Sequence, residues 1–116
     1  MLRTILLMVT VSILGCGERT PEEIAAQKAR ECTDPIMAYF MSRDFVERQL
    51  QSPSTADFPS YRDSGVQVTY NDNCSHSVSA YVDAENAFGG VVRRSYLATV
   101  RFDMDSTWTL EGLKFE

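Results

Sequence analysis

At Gly65 the spacing of apolar residues changes, and that change decides the fold class. Upstream, Ile36, Tyr39, Phe40, Met41, Phe45, Val46 and Leu50 recur at intervals of three and four, while Arg43, Asp44, Glu47 and Arg48 fill the other face. This is the period of an amphipathic helix about four turns long. Downstream the interval is two, in four runs: Val66, Val68 and Tyr70; Val78, Ala80 and Val82; Tyr96, Ala98, Val100 and Phe102; Trp108 and Leu110. Turn formers separate them at residues 71–73, 86–90 and 103–106, the pattern of strands in hairpin order. At Gly112 the apolar parity slips by one, to Leu113 and Phe115, which predicts a bulge. The expectation is an α+β fold, with an N-terminal helical segment packed on a four-stranded antiparallel meander sheet.

The helical segment carries its own start signals. Thr20-Pro21-Glu22-Glu23 supplies a cap, a proline at the first helical position and acids in the first turn. Cys32-Thr33-Asp34-Pro35 repeats the signal with Asp34 as cap, so the helix breaks there. Met37 and Met41 are read as core packing. Residues 51–59 hold two prolines among small polar residues and form a connector, with Phe58 tucked under the domain.

Ahead of this domain, Met1-Leu2-Arg3-Thr4 makes a short basic start and residues 5–14 an apolar run of ten. A membrane-spanning helix needs about 20 such residues, so the run reads as a secretory signal. The following Ile13-Leu14-Gly15-Cys16 resembles the lipobox of bacterial lipoproteins. That resemblance implies diacylglycerol on the Cys16 thiol, and anchorage to a membrane without spanning it. The division is then a lipoprotein signal peptide over 1–15, lipidated cysteine and tether over 16–20, and a single α+β domain over 21–116. Gly17 rather than aspartate after the cysteine favours the outer membrane, facing the periplasm. Removing Arg3 with the signal takes the formal charge from −5 to −6. That acidic balance argues against nucleic acid as a partner.

With Cys16 assigned to lipid, Cys32 and Cys74 remain, an even pair in an oxidising compartment, and a disulfide is the economical reading. A metal site is a poor competitor, because His76 is the only histidine and no second close-spaced ligand pair accompanies it. His76 reads as a surface residue at a strand start. Asp103 and Asp105 read as a hairpin turn rather than a calcium loop, which would need a glycine and a distal glutamate. No catalytic residue, metal or cofactor is assigned, since the sequence offers no nucleophile in an activating context.

The most distinctive stretch runs from Tyr81-Val82-Asp83 through Asn86, Phe88, Gly89 and Gly90 to Arg93 and Arg94. With Leu50-Gln51-Ser52-Pro53-Ser54-Thr55-Ala56-Asp57-Phe58-Pro59 it resembles a small domain of bacterial and phage proteins, over roughly residues 38–116. The resemblance implies the fold and a structurally important loop; it implies no reaction. Two readings of the loop follow. In the first, Asp83 and Asn86 satisfy backbone groups, Phe88 folds back on the sheet and Arg93 pairs with Asp83. In the second, Phe88 is an exposed anchor for a protein partner, rimmed by Asn86, Arg93 and Arg94. The first is favoured. The functional expectation is a non-catalytic binding module with an envelope protein partner. The alternative is a phage-type exclusion factor or inhibitor of an envelope or lytic protein. An envelope hydrolase comes last.

Overall fold

The computed structural model describes residues 18–103 and 105–116, so the signal run, the lipobox with Cys16, and Met104 lie outside the described residues. Two helices, α1 (Pro21–Cys32) and α2 (Pro35–Glu47), precede four strands: β1 (Gln67–Tyr70), β2 (Ser75–Glu85), β3 (Val91–Phe102) and β4 (Trp108–Phe115). The sheet order β1-β2-β3-β4 is an antiparallel meander. This is the α+β arrangement the change of period predicts.

Both helix starts are chemical. Thr20 and Glu23 form a reciprocal capping box, and the Asp34 carboxylate accepts from the Ile36 and Met37 amides. Asp34 and Pro35 force the break between the helices, since the residue before a proline is driven out of the helical region. Pro53 nucleates a single 3-10 turn, Pro53–Thr55, in the connector.

One face of α2 covers one face of the sheet. Ala38, Tyr39, Ser42 and Val46 are buried against Val78, Ala80, Val82 and Ala84 of β2 and Tyr96, Ala98 and Val100 of β3. Small residues on the strands let the helix approach, and the two tyrosines fill the layer between. Their hydroxyls are satisfied: Tyr39 donates to the Pro59 carbonyl, and the Ser42 and Tyr96 hydroxyls lie 3.3 Å apart. Burial pushes the Tyr39 hydroxyl up to about 12 and raises that of Tyr96.

The helix is narrower than its apolar face. Ile36 and Phe40 are 45% and 44% exposed, and Met37 and Met41 stay half-buried outside the core cluster. The core assignment of the methionines is therefore corrected: the sheet accepts the stripe through Tyr39 and Val46, and the adjacent stripe is left over. α1 buries no residue at all. Its C-terminal end is fixed by the Cys32–Cys74 disulfide, which joins it to the β1–β2 turn as the cysteine arithmetic predicts.

The parity slip in β4 is a bulge. Thr99 pairs with Gly112 and Val100 with Leu110, leaving Glu111 as the extra residue, held on the outer face by Arg101 at 2.9 Å. The connector has a further role. β1 reaches only as far as Ser79, and beyond it Asp57 bridges Asp83 while the Thr55 hydroxyl accepts from the Glu85 amide. An otherwise open strand edge is thereby covered. Phe58 is half-buried against the core with the Arg43 guanidinium 4.9 Å over its ring.

Candidate functional site

β2 and β3 stay paired up to Glu85 and Val91, so residues 86–90 form the tip of a long hairpin. The tip is tied internally by Asn86. Its side-chain oxygen accepts from the Phe88 and Gly90 amides at 2.9 and 3.0 Å, its carbonyl accepts from Gly89 at 3.0 Å, and its amide donates to the Gly90 carbonyl at 2.9 Å. Gly89 turns the chain at φ +81°, a conformation that strains any residue bearing a Cβ. Asn86 thus satisfies backbone groups as the sequence suggests.

Phe88 does not fold back on the sheet. Its ring is 96% exposed, which corrects the favoured reading. A ring inside a loop closed by four hydrogen bonds has no route to the core without breaking them. Val91 and Val92 at the head of β3 are 71% and 43% exposed, so the apolar surface extends down the hairpin on both faces. A phenylalanine burial is worth about 1.5 to 3 kcal/mol, and this one is left unused in the free protein.

Arg93 does not rim Phe88; paired with Asp83 as the first reading has it, it clamps the hairpin behind the tip. The two are direct cross-strand partners, and the Arg93 guanidinium donates to both Asp83 oxygens at 2.8 and 3.0 Å. The same guanidinium lies 4.1 Å over the Tyr81 ring, whose hydroxyl donates to Asp63 at 3.1 Å. Hydrogen bonding to Arg93 holds the Asp83 carboxyl below its ordinary value and raises Arg93 in return. Burial, followed by the Asp63 contact, raises the Tyr81 hydroxyl. Asp83's backbone, for its part, makes the bridge to Asp57. Arg94 is likewise drawn away from the tip, 3.9 Å over the Phe115 ring. Of the four residues singled out from sequence, Asn86 and Phe88 meet at the tip and Asp83 and Arg93 meet at its base.

Sequence reasoning missed Val91 and Val92. The signal was present: apolar residues at two consecutive positions break the alternation where the helix no longer covers the strand. One further correction concerns the opposite end of the sheet. His76 is not a surface residue but is fully buried, edge-on to Tyr70 at 5.1 Å and 6.2 Å from Trp108, with neither ring nitrogen hydrogen-bonded. Burial lowers its pKa, against a weaker opposing pull from Asp34 and the Thr33 backbone. At the β3–β4 turn, one Asp103 oxygen accepts from the Asp105 and Thr107 amides, which ties that carboxylate into the turn. Among the described residues, no three His, Cys, Asp or Glu side chains cluster as metal ligands.

The tip therefore offers an exposed apolar ring on a hydrogen-bonded loop, a carboxamide committed to the backbone and an ion-paired base. That arrangement can fill a pocket on another molecule; it brings together no acid, base and nucleophile. Comparison with protein-family models, curated proteins and solved structures finds no match to this chain.

Proposed function

We propose that this chain is a lipid-anchored, periplasm-facing envelope lipoprotein, held in the outer membrane through Cys16, that binds an envelope protein through the β2–β3 hairpin tip without catalysis. The observation that carries the reading is Phe88, 96% exposed on a loop whose amides Asn86 ties by hydrogen bonds. An exposed ring costs solubility, and a pre-ordered loop loses little entropy on docking, so the pair suits a binding anchor. The Cys32–Cys74 disulfide supports export to an oxidising compartment. The meander supports the orientation as well. α1, which follows the anchor, is bonded to the β1–β2 turn, whereas Phe88 lies at the other end of β2. Eleven residues of strand span about 36 Å. A tip at that distance from the anchored end can reach a partner beyond the membrane surface.

A second reading keeps the same surface and changes the outcome of contact: an exclusion factor or inhibitor whose tip blocks an envelope or lytic protein. The compact loop with one protruding ring favours it, because a rigid knob fills a pocket and stays there.

Photo-crosslinking in intact cells tests both readings. Benzoylphenylalanine in place of Phe88 is expected to give a discrete protein adduct, while the same group in place of Thr69, exposed on β1, gives none. Equal labelling at the two positions, or none at 88, rejects tip binding. Cys16→Ser is expected to move the protein out of the membrane fraction; an unchanged fraction rejects the anchor.

A further inference from the structure

The proposed anchor leaves one question about the end of the domain from which it emerges. A groove of about 680 Å³ runs between α1, α2 and the start of β4, lined by Arg19, Ile24, Lys28, Met37, Met41 and Trp108, with Glu31 as the acid on its rim. Its floor is the stripe of α2 that the core does not take. Ile24 is 41% exposed on a helix that buries nothing, and Ile36 and Phe40 lie beside Met37 and Met41 around α2.

We infer that this groove is the face the domain lays on the lipid bilayer, taking acyl-chain surface between α1 and α2. The inference rests on the lipid-anchor reading above. What names the occupant is the chain leading in: Cys16 stands three residues before Arg19, a length that spans at most about 11 Å fully extended, so a lipid on Cys16 would hold the bilayer close to Arg19 at the groove's mouth. A domain tethered that closely meets the bilayer first with Arg19, Lys28 and the apolar residues between them. Trp108 fits the same interface, since tryptophan prefers the boundary between headgroups and chains. Methionines suit an irregular, fluid partner because their side chains are unbranched and adaptable. The domain then stands with its disulfide end at the membrane and Phe88 pointing away.

The chain carries its own reporter, because Trp108 is its only tryptophan. The lipidated full-length protein is reconstituted into phosphatidylethanolamine–phosphatidylglycerol vesicles, with ordinary or brominated acyl chains, and recovered by flotation. Emission from Trp108 is expected to fall to less than about half in the brominated vesicles, as for a group seated 5 to 10 Å into the interface. Ile24→Asp, on the exposed helix, is expected to float equally well and to lose most of that quenching. If the protein floats and Trp108 is not quenched, the bilayer does not occupy the groove and the anchor reading stands. If the protein does not float, the anchor reading fails and this inference falls with it. Quenching unchanged by Ile24→Asp places Trp108 near lipid by another surface and also overturns it.

Discussion

Replacing Cys32 and Cys74 together by alanine probes how much of this small domain's stability is supplied by one covalent bond. The bond joins residues 42 apart in sequence. In the chain-entropy account, a closed loop of that length restricts the unfolded chain by about 4 kcal/mol. A domain of this size has a total stability of about 5 to 15 kcal/mol, so the loss is about a quarter or more of it. Packing does not duplicate the bond, since α1 contributes no buried residue. The turn that carries Cys74 is also demanding: Asn73 and Cys74 both sit in the left-handed region, at φ 51° and 60°, and the Cys74 amide leans on the Tyr70 hydroxyl at 3.3 Å. Urea unfolding followed by Trp108 fluorescence measures the difference. The double variant should lose about 4 kcal/mol, equivalent to roughly 16 to 32 °C in midpoint temperature for a domain of this length. Its m-value should rise, because the uncrosslinked chain exposes more surface. A loss below about 1 kcal/mol would refute the assignment of α1 and the β1–β2 turn to a covalently held unit.

Three further outcomes follow from particular contacts. Burial holds folded His76 below its ordinary value of 6.5, so the unfolded chain takes the proton first and stability, full above about pH 6.5, falls as pH drops. His76→Phe should flatten that decline between about pH 6.5 and 5, a window above the one in which carboxylates ordinarily titrate; a slope unchanged in the variant's urea curves would show that His76 is not its source. Gly65→Ala would set a Cβ 2.6 and 2.9 Å from Tyr81 ring atoms clamped between Asp63 and Arg93; a loss of about 1 to 3 kcal/mol is expected, with Gly112→Ala, whose Cβ meets nothing within 4 Å, near neutral as the control. Asn86→Ala removes the acceptor of two tip amides, so hydrogen exchange at Phe88 and Gly90 should speed up at least about tenfold while global stability changes by less than about 1 kcal/mol. Unaltered exchange there would mean that the loop is not held by Asn86.

The parts of the fold that depend on local rules were legible in the sequence. Asp34-Pro35 dictates a helix boundary, alternation dictates the strands, and Gly112 marks the bulge because apolar parity cannot slip by one without an extra residue. What escaped depends on widths and on contacts between distant segments. Nothing local says that α2 has more apolar surface than the sheet can accept, so spacing alone places Met37 and Met41 in the core. His76 could have been found, since it lies in phase with Val78, Ala80, Val82 and Ala84 on the buried face; its polar ring and its place beside a cysteine obscured the phase. The Asp57–Asp83 bridge shows why the two distinctive segments belong together: one covers the strand edge that the other exposes. For the candidate site, the pairing of Asp83 with Arg93 and the capping by Asn86 follow from register and side-chain chemistry. The direction of Phe88 does not, because a loop tip has no period from which to read a face.

Phe88 as the anchor by which the domain engages its partner is tested by the affinity of the Phe88→Ala protein for the crosslinked partner. The expected result is an unfolding midpoint equal to the parent's, because the ring is 96% exposed, together with a loss of about 2 kcal/mol in binding, roughly 30-fold. An alanine variant that folds normally and binds as tightly as the parent would contradict it.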